Sequence, residues 1–92
     1  MIATIKHKGL KRFFETGDTK GIQAEHAERI ANILGILSVA EDLDDIDLPS
    51  LRLHPLKGKL KGLHSVTVRA HWRIVFSFEN GNCMDLDFLD YH

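Results

Sequence analysis

Near the C-terminus, three consecutive stretches alternate apolar and polar side chains with a period of two, and this pattern restricts the fold more than any other feature. In Ser65 to Ala70, Val66 and Val68 fall to one side, Thr67 and Arg69 to the other. In Trp72 to Glu79, Trp72, Ile74, Phe76 and Phe78 share a face, and in Cys83 to Asp90, Met84, Leu86 and Phe88 do the same. Such alternation marks strands with one face buried and one wet. The register between the last two depends on the connection at Asn80-Gly81-Asn82. A two-residue Asn80-Gly81 turn pairs Phe78 with Cys83 and carries Asp85 and Asp87 onto the buried face. A three-residue loop pairs Phe78 with Met84, Phe76 with Leu86 and Ile74 with Phe88. A one-residue slip flips every side chain, so the burial pattern predicts the longer loop. Trp72 then lies opposite Asp90 and Arg73 opposite Leu89, which brings Asp90, Tyr91 and His92 beside Trp72 and Arg73.

Upstream, Ile2 to Ile5 is short and β-capable. Lys8 to Thr16 predicts a short helix with Leu10, Phe13 and Phe14 on one side, ended by Gly17-Asp18. From about Ala24 to Glu41, Ala27, Ile30, Ala31, Leu34, Leu37 and Ala40 recur at three- and four-residue spacing, one face of a long helix. Gly35 weakens that helix by about 1 kcal/mol relative to Ala, unless its small size permits close packing. Pro49 stops any continuation, Leu51 to His54 reads as a short strand ended by Pro55, and residues 56–62, with two glycines and three lysines, read as an exposed, mobile loop. The order predicts a single α+β domain over residues 1–92, with an N-terminal strand and two helices packed on one face of a largely antiparallel sheet. The other face, with Thr67, Arg69, Arg73 and Ser77, is expected to be wet and basic.

At 92 residues the chain has room for one domain. No apolar run approaches the roughly 18 residues of a membrane span, and the opening Met1 to Lys8 has no signal-peptide core. A single cysteine, Cys83, excludes an intramolecular disulfide and a Cys-based zinc cage, and reads as a packing residue. These features predict a cytoplasmic chain with no membrane partner. The net charge of −1 conceals segregation. Lys6, Lys8, Lys11 and Arg12 stand in an acid-free start. Residues 50–75 hold Arg52, Lys57, Lys59, Lys61, Arg69 and Arg73 with His54, His64 and His71 and no acid, and Glu41, Asp42, Asp44, Asp45 and Asp47 form an acidic run. The acidic run reads as a solvated loop; the basic stretch presents a field that attracts phosphate.

Asp90-Tyr91-His92 is the densest group of chemically capable side chains. Histidine exchanges protons near neutral pH, and tyrosine donates a proton or holds a phosphate oxygen. His54 adds a second imidazole before Pro55 and the lysine loop, and Arg73 can present a planar fork to a phosphate. Each also has a plainer reading, as a terminal tail, a solvated histidine or an ion-pair partner. The register that sets Arg73 near Asp90-Tyr91-His92, inside the basic half of the chain, raises the functional one. The scattered histidines show no metal-ligand spacing, and no glycine-rich nucleotide loop is present, so neither metal nor cofactor is expected.

Several stretches together resemble the HigB-type toxins, a branch of the RelE superfamily of bacterial toxin–antitoxin systems: Ile5 to Gly17, Leu53 to Gly58 (Leu-His-Pro-Leu-Lys-Gly), Ser65 to Ile74 (Ser-x-x-Val-Arg-Ala-x-Trp-Arg-Ile) and the terminal Asp90 to His92. The resemblance covers nearly the whole chain, and the acidic loop 41–47 and the central helix stand outside it. It implies a RelE-like fold and a ribosome-dependent endoribonuclease that cleaves mRNA in the ribosomal A site of the 30S subunit and stops translation. It implies a HigA-like helix-turn-helix antitoxin as partner, with operator DNA reached only through that complex. The family's functional positions fall on His54, Lys57, Arg73, Asp90, Tyr91 and His92. The chemistry agrees. His54 and His92 can divide the proton transfers, Asp90 can orient an imidazole, Tyr91 can bond the phosphate or stack on a base, and Lys57 and Arg73 can hold the phosphate. Lys59, Lys61 and Arg69 are expected to dock on RNA or the ribosome. The alternatives are a non-catalytic RNA- or ribosome-binding module on the same basic face and an antitoxin-like interaction protein, the latter opposed by the absence of a helix-turn-helix pattern or a disordered basic arm.

Overall fold

The computed structural model describes residues 1–91. Four antiparallel strands lie in chain order: β1 (His54–Pro55), β2 (His64–Arg69), β3 (Trp72–Glu79) and β4 (Asn82–Asp90). Helices α1 (Lys8–Thr16) and α2 (Ala27–Val39) precede them. Together these give the predicted α+β architecture. The N-terminal segment forms no regular strand. It runs parallel to β4 through isolated bridges, Ile2 to Cys83 and Ile5 to Leu86.

The β3–β4 turn departs from the predicted loop. Glu79 faces Asn82 and Phe78 faces Cys83, so the turn is the two-residue Asn80-Gly81 with positive φ at both positions, the geometry best matched to strand twist. A bulge then repairs the slip. Ser77 faces Met84 but Val75 faces Asp87, which leaves Asp85 and Leu86 both opposite Phe76. Asp85 adopts φ 55° there, and Thr4 Oγ1 accepts from its N–H at 2.8 Å. Beyond the bulge the predicted pairs return: Ile74 with Phe88, Arg73 with Leu89, Trp72 with Asp90. The core therefore receives Cys83 in place of Met84, and Asp85 stays outside.

α1 occupies its predicted span because both ends are capped. His7 Nδ1 accepts from the Leu10 N–H, and Gly17, at φ 81°, donates its N–H to Phe13 O. Leu10 is buried, whereas Phe14, expected beside it, is exposed. α2 is shorter than predicted, because its first turn, Ala24–His26, is 3₁₀. Its inward face is Ile30, Ile33, Leu34 and Leu37; Ala31 is exposed and Ile33 takes its place. A Cβ on Gly35 would meet nothing within 4 Å, so close packing does not explain that glycine. The close approach lies elsewhere: a Cβ on Gly9 would come within 2.3 Å of Gly21 O. The helices and the strand side chains Val66, Ile74, Phe76, Leu86 and Phe88 enclose one core. His26 is buried at its end, against Trp72 and Phe88.

Two connecting segments are more ordered than their composition suggests. In the acidic run, Asp42 Oδ1 accepts from Asp45 N, and Asp45 Oδ2 accepts from the N–H groups of Glu41 and Asp42. These carboxylates cap a turn. In the lysine loop, Leu56 is buried and donates its N–H to Leu63 O at 2.9 Å, and Gly58–Leu60 forms a 3₁₀ turn. The strand expected at Leu51–His54 is a turn that becomes strand only at His54–Pro55.

Candidate active site

The sheet face away from the helices carries Ser65 and Thr67 on β2 and Arg73 and Val75 on β3, in facing pairs. Of these, Ser65 and Arg73 form the floor of a cleft of ≈ 630 Å³. Arg52, His54, Pro55, Leu56 and Lys57 line one side, where the edge strand and the start of the lysine loop pass. Ser65 and Arg73 lie between, and His71 and Tyr91 complete the lining. The two last are brought together by the backbone: the Tyr91 N–H donates to His71 O at 2.8 Å, fixing the end of β4 to the β2–β3 turn. Among the described residues the lining holds three cations, two imidazoles, a phenol and a hydroxyl, and no carboxylate.

Arg73 is partly committed. Its Nη1 donates to Thr67 Oγ1 at 3.1 Å, while its Nε is buried with no partner among the described residues. The Ser65 hydroxyl beside it is buried and likewise unpartnered. Unsatisfied buried polar groups cost about 1–3 kcal/mol each. Both residues line the cationic cleft.

Of the residues singled out from sequence, His54, Lys57, Arg73 and Tyr91 meet in this cleft. Asp90 is exposed opposite Trp72, as predicted, and does not line it. His92 lies outside the described residues. Lys59 and Lys61 are exposed on the 3₁₀ turn and just after it, outside the cleft lining. Arg69 is not on this face. A bulge between Thr67 and Arg69 turns the end of β2, pairs Arg69 with Trp72 and leaves its side chain in a separate depression with Glu25, Glu28 and Asn32. Simple alternation fails there because a bulge inverts it. Three polar lining residues, Arg52, Ser65 and His71, are not individual site candidates in the sequence. Arg52 sits at φ 51°, a backbone feature no composition reveals. His71 does carry a signal, because the register that sets Trp72 against Asp90 also sets residue 71 against Tyr91. Cys83 is inside the core, where burial pushes its thiol above the usual range; it is inert packing, as expected. No group of three or more His, Cys, Asp or Glu that could hold a metal ion exists among the described residues.

Residues 3–92 match the family described as the RelE-like toxin of the type II toxin–antitoxin system HigB. The chain belongs to this HigB-like toxin family. Its similarity to a curated relative spans both chains completely: 45% identity over 92 residues with a protein named Endoribonuclease HigB, from Proteus vulgaris. A HigB-like toxin works within a toxin–antitoxin pair, so an antitoxin is its partner. Among the described residues no helix is long and apolar enough to cross a membrane.

Proposed function

We propose that this HigB-like toxin is a cytoplasmic, ribosome-dependent endoribonuclease that cuts mRNA in the ribosomal A site and thereby halts translation, and that a HigA-like helix-turn-helix protein neutralises it. Membership of the toxin family and full-length similarity to an endoribonuclease support RNA cleavage. The observation that carries the reading is the cleft itself, which gathers His54, Lys57, Arg73 and Tyr91 with no carboxylate among its described lining residues. Such a site favours a phosphodiester and supplies groups that exchange protons beside it.

The reaction needs no outside reagent. A ribose 2′-OH attacks the adjacent phosphorus as a base removes its proton. The P–O5′ bond breaks as an acid protonates the departing 5′ oxygen. The products are a 2′,3′-cyclic phosphate and a 5′-hydroxyl. His54 and His92 act as the acid–base pair, with Asp90 orienting an imidazole. Arg73 and Lys57 stabilise the charge that gathers on the phosphoryl oxygens, and Tyr91 bonds the phosphate or stacks on a base. The Arg73 Nε and the Ser65 hydroxyl, unpartnered among the described residues, would gain partners as the phosphate settles. The ribosome supplies the alignment of the scissile nucleotide against these groups. Exposed Lys59 and Lys61 add a salt-sensitive attraction to ribosomal RNA. Arg69, on the helix side, leaves this docking set.

The test is primer-extension mapping of transcripts after induction in bacteria, repeated in vitro with and without ribosomes. Expected are growth arrest, breaks within codons only on ribosome-bound mRNA, and cyclic-phosphate ends. Arrest without cleavage would support a non-catalytic ribosome-binding module instead, and equal cutting of free RNA would remove the ribosome requirement.

A further inference from the structure

Arg29 projects from α2, on the helix side of the sheet, yet its guanidinium grips backbone that builds the opposite side. Its Nε donates to Val68 O at 3.2 Å and its Nη2 to Thr67 O at 2.9 Å, both on β2. Nη2 also donates to Ser50 O, on the turn that leads into the edge strand. One planar fork thus ties two chain segments with no sequence proximity.

The tied segments are irregular at this point. His54 faces Ser65, and the Leu51 carbonyl accepts from the Thr67 N–H at 2.8 Å. From the first link to the second, the edge chain takes one residue more than β2, so it bulges. Arg52 sits in that bulge in the left-handed region, at φ 51°, and its side chain lines the cleft. A non-glycine residue in this conformation costs about 1 kcal/mol or more and persists where its surroundings over-determine it. The carbonyl two residues before it, held by Arg29, is such a determinant.

We propose that Arg29 is a positioning residue of this site: by joining the Ser50 carbonyl to β2 it holds the bulge that presents Arg52 to the substrate phosphodiester. Arg52 is then a third cation on that phosphate, with Lys57 and Arg73, and Arg29 acts through it without touching RNA. The inference rests on the nuclease reading given above.

A double-mutant cycle tests it, using single-turnover cleavage of a defined mRNA by the full chain, on ribosomes or free, whichever the parent cuts. Arg52→Gly should fold at least as well as the parent, because glycine takes φ 51° without strain. It should raise the half-saturating RNA concentration about tenfold, the effect of losing one charged hydrogen bond, and Arg52→Lys should restore most of that loss. Arg29→Met should raise the same quantity by roughly tenfold in the parent, but by less than about threefold when Arg52 is already glycine. A general loss of folding would give the same factor in both backgrounds. Should Arg29→Met not fold, Arg29→Lys, which keeps a charge and fewer well-aimed donors, should show a smaller factor of about threefold that also vanishes in the Arg52→Gly background. Equal factors in both backgrounds, or an Arg52→Gly protein that binds like the parent, overturn the inference while the nuclease reading survives. A parent chain that cuts no RNA overturns both.

Discussion

The two faces of the sheet, made by the same strands, have opposite characters. The helix-facing side is filled by Val66, Ile74, Phe76, Leu86 and Phe88, closed over by α1 and α2. The outer side is closed only in part, by the lysine loop through Leu56, and leaves a cationic cleft in which the Arg73 Nε and the Ser65 hydroxyl have no described partner. The closed face gains stability by removing apolar surface from water. The open face forgoes some of that gain and keeps polar groups available. A chain of this length can divide its labour in this way because a period-two strand addresses both sides at once.

The division predicts that substitutions on the closed face change stability and leave chemistry per folded molecule alone. Phe76, fully buried opposite the β4 bulge, gives the largest effect. Phe76→Ala should cost about 3–5 kcal/mol in denaturant unfolding, with cleavage falling only as the folded fraction falls. Loss of turnover by molecules still folded would break the division. A pair of glycines on the helical layer sharpens it. Gly9→Ala should destabilise by about 1–3 kcal/mol, because its methyl meets Gly21 O. Gly35→Ala should stabilise by about 1 kcal/mol, because its methyl meets open space on an exposed helix face. Thermal melts of the two proteins should therefore move in opposite directions.

The closed face is also the more legible one in the sequence. Period-two alternation and the Leu10, Ile30, Leu34 and Leu37 spacing follow directly from burial, and burial needs only residue type and order. The outer face depends on three irregularities that composition does not encode. The Thr67–Arg69 bulge takes Arg69 to the other side, the Arg52 bulge brings a cation to the cleft, and the Asp85 bulge reconciles a two-residue turn with the pairing at Trp72 and Asp90. The last case shows why a correct pairing comes with an incorrect loop: burial constrains the middle of the hairpin, while Asn80-Gly81 chemistry constrains its tip. Both hold because the bulge absorbs the extra residue. The approach of Tyr91 to Arg73 is legible from the β3–β4 register, whereas His54 and Lys57 are singled out by the family resemblance, and the structure adds them to the same cleft. Arg29 is not legible, since its partners are main-chain carbonyls far away in sequence.

The smallest effect concerns the rim of the open face. Lys59 and Lys61 stand exposed outside the cleft. Replacing both by Gln should leave the melting temperature unchanged. It should weaken ribosome association and reduce the slope of log affinity against log salt by about 0.7 for each RNA phosphate that these lysines neutralise. An unchanged slope would confine RNA attraction to the cleft itself.

The central claim, that two imidazoles share the proton transfers, is tested most directly by the rate of mRNA cleavage on ribosomes. His54→Ala and, separately, His92→Ala are each compared with the parent at equal folded fraction. Exposed in the cleft, His54 contributes nothing to the closed core. A fall of about a hundredfold or more is expected for each substitution, with no change in melting temperature for His54→Ala. A parent-like rate in either variant would contradict the claim.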